Sequence, residues 1–391
     1  MHDVCLAFKS AGLPKEALLY VNQPFQGLDL FIACRFGGLE MQFHQRADEM
    51  TNEIQRRLFE KRVTDKNEFG NFCVPLHSLT DAAKKARSQF IEVTPDGRQS
   101  LFGEISYQID SGATIIEDYT CKPHGVDEKK AKTSHLPTEK HFSTCWKDKN
   151  DWDFQSVPRE WIDRLAESFQ FASKDETRYV LYGTHACEDG LIATDGHRLV
   201  RYDLKIDKPD MIIPKVGWLG TRFAAFDDWQ VGKNDDRVAF RSGPWTMVTG
   251  LIEGNFPSTR QLFPDPKTVH WFHIDHAEFT EALQGFPGET HRLVFNMDTS
   301  DVTIFHKKSR TLPIGIEEVE PVKWSEPSER RSDFNSQYLR DSLALKPDRI
   351  GIGQPAKPAK NTVHSPSDIV DPIWLKNGIS ETIIMPMRIT N

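Results

Sequence analysis

The alternation of apolar and polar positions predicts amphipathic helices that each follow a short strand. The clearest case is the helical spacing of Trp161, Ile162, Leu165 and Phe169 after Val157-Pro158. Similar spacing recurs in three further stretches: Leu79, Ala83, Ala86 and Phe90; Ile274, Phe279, Ala282 and Phe286; and Tyr338, Leu339 and Leu343. Strands are predicted at 18–21, 28–34, 90–93, 101–109, 179–182, 191–194, 198–204, 238–241 and 245–252, with a turn at Pro95-Asp96-Gly97 between the third and the fourth.

An internal repeat organises these elements. Four pairs each close a predicted strand: Val74-Pro75, Val157-Pro158, Ile274-Asp275 and Phe334-Asn335. Five positions after the first member of each pair stands an apolar residue, namely Leu79, Ile162, Phe279 or Leu339. Repeated strand-to-helix units without a long parallel β/α alternation predict an α+β fold rather than a doubly wound sheet.

Length and local composition predict three domains. A chain of 391 residues is too long for one ordinary core. A lysine-rich stretch at 121–150 and the pair Asp265-Pro266 mark boundaries, which gives domains at 1–150, 151–266 and 267–391. The lysine-rich stretch fits either a solvated linker or a DNA contact. Residues 49–62 fit either a helix or an extended segment, and residues 351–367 have the composition of a mobile loop.

Composition narrows the possible classes of function. The formal net charge of −8 argues against a protein that simply coats nucleic acid, but it allows basic residues to be gathered on one surface. The six cysteines stand singly, as expected for reduced thiols in the cytoplasm. No signal peptide and no membrane-spanning apolar run is recognisable. We therefore expect a soluble cytoplasmic protein with no membrane partner.

Signals for catalytic chemistry are weak. Gly351-Ile352-Gly353 is a poor candidate for a phosphate loop. Asp195 and His197 could form a catalytic dyad, yet no motif places a nucleophile beside them. One cluster could ligate a metal: His270, His273, Asp275 and His276. Alternation along a strand would divide these four side chains between two faces. We therefore predict no enzyme activity, no cofactor and no metal, with a metal- or histidine-dependent enzyme as a rival interpretation.

Three other stretches carry a stronger signal. The first is Ala193-Thr194-Asp195-Gly196-His197-Arg198-Leu199, in which Asp195-Gly196 predicts a type I′ hairpin turn. The second is Leu251-Ile252-Glu253-Gly254-Asn255-Phe256-Pro257-Ser258-Thr259-Arg260, and the third is Ile383-Ile384-Met385-Pro386-Met387-Arg388-Ile389. In order and spacing these stretches resemble the bacterial sliding clamp family, the beta subunit of DNA polymerase III. The resemblance is stronger for residues 151–391 than for the part before them.

The resemblance implies a DNA clamp fold, with three similar α+β domains per chain that each have inner helices and outer antiparallel sheets. A clamp of this family is a processivity factor that encircles double-stranded DNA, without sequence preference, as a head-to-tail homodimeric ring. The implied partners are a DNA polymerase catalytic subunit, other replication and repair proteins, and a clamp loader ATPase. The implied location is the cytoplasm, at the nucleoid.

The resemblance also implies a cleft between the second and third domains, which binds short peptides that carry a glutamine, a leucine and a terminal aromatic residue. Methionines suit such a cleft because they are flexible and polarizable. The wall positions carried over from the family are Leu181, Thr194, Gly196, His197, Arg198, Leu199, Pro257, Leu262, Ile383, Ile384, Met385, Pro386, Met387 and Arg388. Without the resemblance, the apolar members of this set would be interpreted as interdomain core.

DNA would be held by phosphate contacts from a mildly basic lining. The helix positions that could supply these contacts are Lys84, Lys85, Arg87, Arg159, Arg164 and Arg340. The family also has DNA-contacting positions at the rim of its middle domain, which correspond here to Lys174, Arg178 and Tyr179. For each of these residues, a solvated face is the alternative interpretation.

The N-terminal third departs from the family pattern. Residues 128–134 correspond to a strand that supplies apolar side chains to the dimer contact in the family, but here they are polar. The expected partner surface near Ala282-Leu283 is also short of apolar residues. Ring closure is therefore a hypothesis. The alternative is a clamp-like adaptor or decoy that keeps the peptide cleft without closing a ring.

Overall fold

The computed structural model describes residues 2–14, 17–22, 30–36, 39–45, 72–77, 80, 92–99, 105–110, 116–121, 152–207, 210–221, 226–263, 269–285, 288–296, 298–306, 308–316, 329–353 and 372–387. Several predictions fall outside these residues. They concern residues 49–62, the helix at Leu79, Ala83, Ala86 and Phe90, the DNA-contact candidates Lys84, Lys85 and Arg87, residues 122–150 with the polar segment 128–134, Asp265-Pro266, Phe286, residues 354–367 and Arg388.

Runs of several strands separate the helices of the described chain, as expected of an α+β fold. The helices are α1 (His2–Ser10), α2 (Arg159–Ser168), α3 (His276–Gln284) and α4 (Ser336–Leu343). The strands are β1 (Leu18–Asn22), β2 (Leu30–Phe36), β3 (Leu39–Gln45), β4 (Phe72–Pro75), β5 (Glu92–Gln99), β6 (Ile105–Asp110), β7 (Ile116–Cys121), β8 (Asp153–Val157), β9 (Gly183–Cys187), β10 (Gly190–Thr194), β11 (Arg198–Tyr202), β12 (Met211–Pro214), β13 (Trp229–Lys233), β14 (Arg237–Ser242), β15 (Trp245–Gly250), β16 (Val269–His273), β17 (Thr290–Asn296), β18 (Asp301–His306), β19 (Lys308–Pro313), β20 (Gly315–Ile316), β21 (Glu329–Asn335), β22 (Arg349–Gly353), β23 (Ile373–Lys376) and β24 (Ser380–Ile384).

The chain divides into two compact units. Unit 1 consists of residues 1–166 and 216–251, and unit 2 consists of residues 167–215 and 252–391. The boundaries near 150 and 266 stay predictions, because the two units follow contacts in space rather than repeats along the chain.

Unit 1 is built on an eight-stranded sheet with the order β4-β1-β2-β3-β15-β14-β13-β8. Neighbouring strands are antiparallel, including β3 and β15, which join the N-terminal part of the chain to the segment before residue 251. Aromatic residues dominate the core: Trp218 and Trp229 are almost fully buried, and Trp245 contacts both Trp218 and Phe8 of α1 edge-on or tilted. A separate three-stranded sheet has the order β5-β6-β7.

Unit 2 contains a nine-stranded sheet and a four-stranded sheet. The larger sheet has the order β12-β9-β10-β11-β24-β23-β22-β16-β20, and the smaller has the order β19-β18-β17-β21. The main hydrophobic core of the unit combines residues of α3 and α4 with residues of both sheets, including Phe279, Leu339, Phe295 and Ile384. The antiparallel pairing of β11 with β24 brings the end of the chain beside the hairpin formed by β10 and β11.

The predicted strand-to-helix repeat is confirmed where the structure describes it. Strand β8 leads into α2, β16 into α3, and β21 into α4. The apolar residue five positions after the first member of each pair is buried. Ile162, Phe279 and Leu339 are each at most 1% exposed. Asp275 and Asn335 cap α3 and α4, because each side chain accepts two hydrogen bonds from backbone amides of the first helical turn.

Three local predictions of secondary structure are wrong. The residues expected to form a strand at 179–182 lie mostly in a 3₁₀ helix, Glu176–Leu181, which Asp175 caps by accepting a hydrogen bond from the amide of Thr177. Pro95-Asp96-Gly97 does not end a strand but lies within β5, where the register with β6 shifts. Residues 351–353 belong to β22 rather than to a loop. The sequence did not predict helix α1.

None of the helices in the described ranges is long and apolar enough to cross a membrane.

Candidate functional site

The first motif forms the tip of the β10–β11 hairpin in unit 2. Thr194 pairs with Leu199, and Gly196 and His197 are the central residues of the turn. Only Gly196 has a positive φ, of 90°, so the turn has the Gly-first pattern of type II′ rather than the predicted type I′. Asp195 does not have a positive φ, and its carboxylate accepts hydrogen bonds from the amides of His197 (2.9 Å) and Arg198 (3.0 Å).

The third motif runs antiparallel to this hairpin. Arg198 pairs with Ile384 and Leu199 with Ile383. Beyond the strand, the amide of Met385 donates a hydrogen bond to the carbonyl oxygen of His197 at 2.9 Å. The amide of Met387 donates to the carbonyl of Asp333 on β21 at 2.7 Å.

The second motif packs against residues of the first and third motifs. Phe256 and Phe263 pack against a buried cluster that includes Leu199, Ile383 and Trp374. The indole N–H of Trp374 donates a hydrogen bond to the carbonyl of Leu262 at 3.2 Å. All three motifs, which lie up to about 190 positions apart in the sequence, therefore meet in one hydrophobic cluster.

A glycine and two ion pairs hold the Phe-Pro segment in place. Gly254 has a φ of 120°, and a Cβ there would lie 2.9 Å from Val180 of the 3₁₀ helix. The guanidinium of Arg260 forms two hydrogen bonds with Asp189, at 2.7 and 3.2 Å, and lies 3.7 Å from Glu188. The hydrogen bond from Arg260 lowers the pKa of Asp189. The His185 ring stacks on Phe256 at 4.9 Å.

Burial separates the predicted cleft residues into two groups. The buried group consists of Thr194, Arg198, Leu199, Ile383 and Ile384. The exposed or half-exposed group consists of Leu181, Gly196, His197, Pro257, Leu262, Met385, Pro386 and Met387. The structure therefore places most of the first group's surface out of solvent, and the second group offers the surface that a ligand can reach.

An open depression of about 770 Å³ adjoins the hairpin tip. Cleft and DNA candidates meet there, because its lining includes His197 and Arg198 together with Lys174 and Arg178. It also includes Tyr338, which the sequence identified only as a residue of the α4 repeat. The ring of Tyr338 lies nearly parallel to that of His197, with centroids 6.4 Å apart. Burial, with the nearby carboxylates of Asp195 and Asp341, raises the pKa of Tyr338.

Three of the described DNA-contact candidates are arginines that lie close to carboxylates of the same chain. On α2, Arg159 pairs with Asp163 at 2.9 Å, and Arg164 lies 3.8 Å from Glu160. Arg178 lies 3.9 Å from Asp175 and donates a hydrogen bond to the carbonyl of Asp195. The remaining candidates are the exposed Lys174 and Tyr179 and the half-exposed Arg340.

The histidine cluster does not assemble as a metal site. Among the described residues, no group of three or more His, Cys, Asp or Glu side chains could hold a metal ion. Asp275 instead caps α3. His270 is half-buried, and its burial, together with the charge of Arg330, lowers its pKa.

Comparisons with known proteins agree with the geometry. No protein-family model matches the chain. The chain is 28% identical over 210 residues to the beta sliding clamp of Staphylococcus aureus, a match that spans 48% of this chain and 54% of that protein. It is 26% identical over 259 residues to the beta sliding clamp of Caulobacter vibrioides, spanning 60% of this chain and 65% of the relative. The chain thus spans about half the length of the Staphylococcus relative.

The structural match covers more of the chain. The DNA polymerase sliding clamp of Pseudomonas aeruginosa superposes with a TM-score of 0.68 at 18% identity, over 99% of this chain and 97% of that one. At this identity the match establishes the fold, and it confirms the expected α+β clamp fold with antiparallel sheets. The curated relatives and the shared fold thus support the resemblance of the chain to the beta sliding clamp family, the beta subunit of DNA polymerase III, as a divergent relative.

Proposed function

We propose that the protein is a DNA sliding clamp, a non-catalytic processivity factor that tethers DNA polymerase and other replication or repair proteins to duplex DNA. One observation carries the proposal: three stretches far apart in the sequence meet in one cluster of unit 2. Beside that cluster, Leu262, Met385 and Met387 are 37%, 39% and 43% exposed, so they offer apolar surface to a ligand.

A short peptide is the occupant that best fits this surface. Burying one leucine and one phenylalanine of a ligand stabilises the complex by roughly 1.5–3 kcal/mol for each side chain. With backbone hydrogen bonds added, binding of about −8 kcal/mol, or micromolar affinity, is reasonable. Met385 and Met387 can repack around different side chains. An exchangeable, micromolar site suits a clamp that several partners share.

DNA is the second ligand of the proposal. A ring retains DNA by topology, so it needs only weak phosphate contacts that do not depend on sequence. The candidates are Arg159, Arg164, Lys174, Arg178, Tyr179 and Arg340, with Lys84, Lys85 and Arg87 from the part that is not described. A ring must also be opened around DNA, so a clamp loader ATPase and a second copy of the chain are further partners of the proposal.

The charge of the described helices favours one alternative. Helices α2, α3 and α4 hold three Arg or Lys residues but six Asp or Glu residues, and α3 has two glutamates and no basic residue other than His276. This excess of acid weakens phosphate attraction at those helices. The alternative is therefore a clamp-like adaptor or decoy that binds polymerase peptides without encircling DNA.

Fluorescence polarisation with a labelled peptide of the glutamine–leucine–phenylalanine type tests the cleft. We expect the double substitution Met385→Ala with Met387→Ala to weaken binding at least about tenfold, because it removes the exposed apolar wall. Phe305→Ala is the matched control, since Phe305 is 41% exposed on the four-stranded sheet. It should change the affinity less than twofold. Equal affinity of the wild type and the double variant would contradict the cleft assignment.

A further inference from the structure

Arg198 was predicted as a wall of the cleft, but each nitrogen of its guanidinium already donates a hydrogen bond within the protein. The side chain is 6% exposed. Its Nε donates to Asp195 at 3.1 Å, one Nη donates to the carbonyl of Gln170 at 2.7 Å, and the other donates to Asp341. A guanidinium that is buried with three acceptors serves first to hold these segments together.

Aromatic rings enclose the same guanidinium. Its central carbon lies 4.9 Å from the ring centroid of Phe171 and 4.6 Å from that of Tyr338. Cation–π attraction of this kind strengthens when the cation is removed from water. Arg198 therefore links the hairpin tip, the segment after α2 and the helix α4, all within unit 2.

Asp341 is the acidic residue that ties this arrangement to α4. One carboxylate oxygen accepts the hydrogen bond from Arg198, and the other accepts one from the side-chain amide of Gln337 at 2.6 Å. Arg198 and Asp341 are 143 positions apart in the sequence, so their contact depends on the tertiary fold.

The buried contact between Arg198 and Asp341 is connected to the exposed wall of the cleft through neighbouring residues. The ring of Tyr338 packs on Arg198 and also stacks with the exposed His197. The carbonyl of His197 in turn accepts the amide of Met385. A displacement of Arg198 would thus move His197 and Met385, which are the residues that a peptide can reach.

We propose that Asp341, which also lines the open depression, is a positioning residue of the peptide cleft and acts through Arg198 and Tyr338 to fix His197 and Met385. The link to peptide affinity rests on the proposed function. The position of His197 can be measured in the free protein, so the two proposals can fail separately.

The experiment uses Asp341→Asn in the full chain, because asparagine keeps the shape of the side chain and removes its charge. We expect peptide affinity to fall about tenfold, and Asp341→Glu, which restores the charge, to recover most of it. The imidazole NMR signal of His197, assigned with His197→Gln, should shift in free Asp341→Asn because the stacking on Tyr338 changes. Glu278→Gln on α3 is the matched carboxylate-to-amide control and should alter neither readout.

An unchanged His197 signal in Asp341→Asn would overturn the positioning role, whatever the peptide affinity. If the wild type failed to bind peptide, the proposed function would fail, and the His197 signal would still decide the positioning role. If Asp341→Asn did not fold, Gln337→Ala would replace it, since it removes only the bond to the other carboxylate oxygen. A smaller shift of His197 in the same direction is then expected, and no shift would overturn the proposal.

Discussion

At the scale of one residue, Glu381 forms ion pairs with residues of the two strands beside its own. It lies on β24, opposite Arg201 of β11 and Lys376 of β23. Lys376 donates a hydrogen bond to its carboxylate at 2.7 Å, and Arg201 donates another. Burial raises the pKa of Glu381, but these two cations outweigh burial and hold the pKa below its usual value. The carboxylate is therefore favoured in the folded state.

The substitution Glu381→Gln should lower the free energy of unfolding by roughly 1–2 kcal/mol at pH 7, because it removes a charge-assisted contact. The folded pKa is lowered, so this contribution is fully present above the unfolded pKa of about 4.5 and is lost as the pH falls through the folded value. Urea denaturation at pH 7 and near pH 3.5 should show the difference between variant and wild type shrinking in acid. A difference independent of pH would contradict the assignment.

Residues whose roles depend on local pattern could be predicted from the sequence. Ile162, Phe279 and Leu339 are core residues because helical periodicity decides which side chains are buried. The role of Arg198 could not be predicted in this way. Its position in a motif indicated a cleft wall, whereas its contacts with Gln170 and Asp341 depend on segments brought together only by folding.

At the scale of elements, the hairpin tip depends on a backbone conformation that glycine supplies. Gly196 has a φ of 90°, and a Cβ there would lie 2.8 Å from a guanidinium nitrogen of Arg178. We expect Gly196→Ala to lower the free energy of unfolding by about 1–2 kcal/mol, because an L-residue is strained at positive φ. Chemical denaturation measures this change.

Gly378→Ala is the matched control for the hairpin substitution. Gly378 belongs to the same unit, its φ is not positive, and a Cβ there would meet nothing within 4 Å. Its substitution should change the stability by less than about 0.5 kcal/mol. Equal effects at the two glycines would show that the hairpin turn does not require the positive φ.

At this scale the sequence mispredicted one short helix and one turn. The run Tyr179-Val180-Leu181-Tyr182 is rich in aromatic and branched residues, which favour strands. The Asp175 cap and the packing of Tyr179 and Val180 against Gly254 accompany a 3₁₀ helix there instead. Similarly, the Asp195 carboxylate binds two amides of the hairpin tip, and the turn then takes a different type from the one its Asp-Gly pair predicts.

At the scale of the whole molecule, the open question is whether two chains close a ring. The sequence placed the dimer contact near Ala282-Leu283, but both residues are at most 1% exposed and belong to the core of unit 2. They cannot supply an apolar contact to a second copy without opening that core. The edge strand β19 is mostly exposed, and among the described strands it pairs only with β18. Backbone pairing at this exposed edge is one contact that stays available to a second copy.

Light scattering across a dilution series tests ring closure directly. A closed dimer should have a mass near twice 44.8 kDa that survives dilution, because two interfaces must open before the chains separate. Thr311→Pro removes a backbone amide at the exposed edge of β19, whereas Thr311→Asp keeps that amide and changes only an exposed side chain. Only the first should shift the mass toward the monomer. A wild-type monomer at every concentration would favour either the adaptor or a ring that forms only with a loader. A second experiment would distinguish these two alternatives. Retention on circular but not linearised DNA, in the presence of a loader ATPase, would indicate the ring.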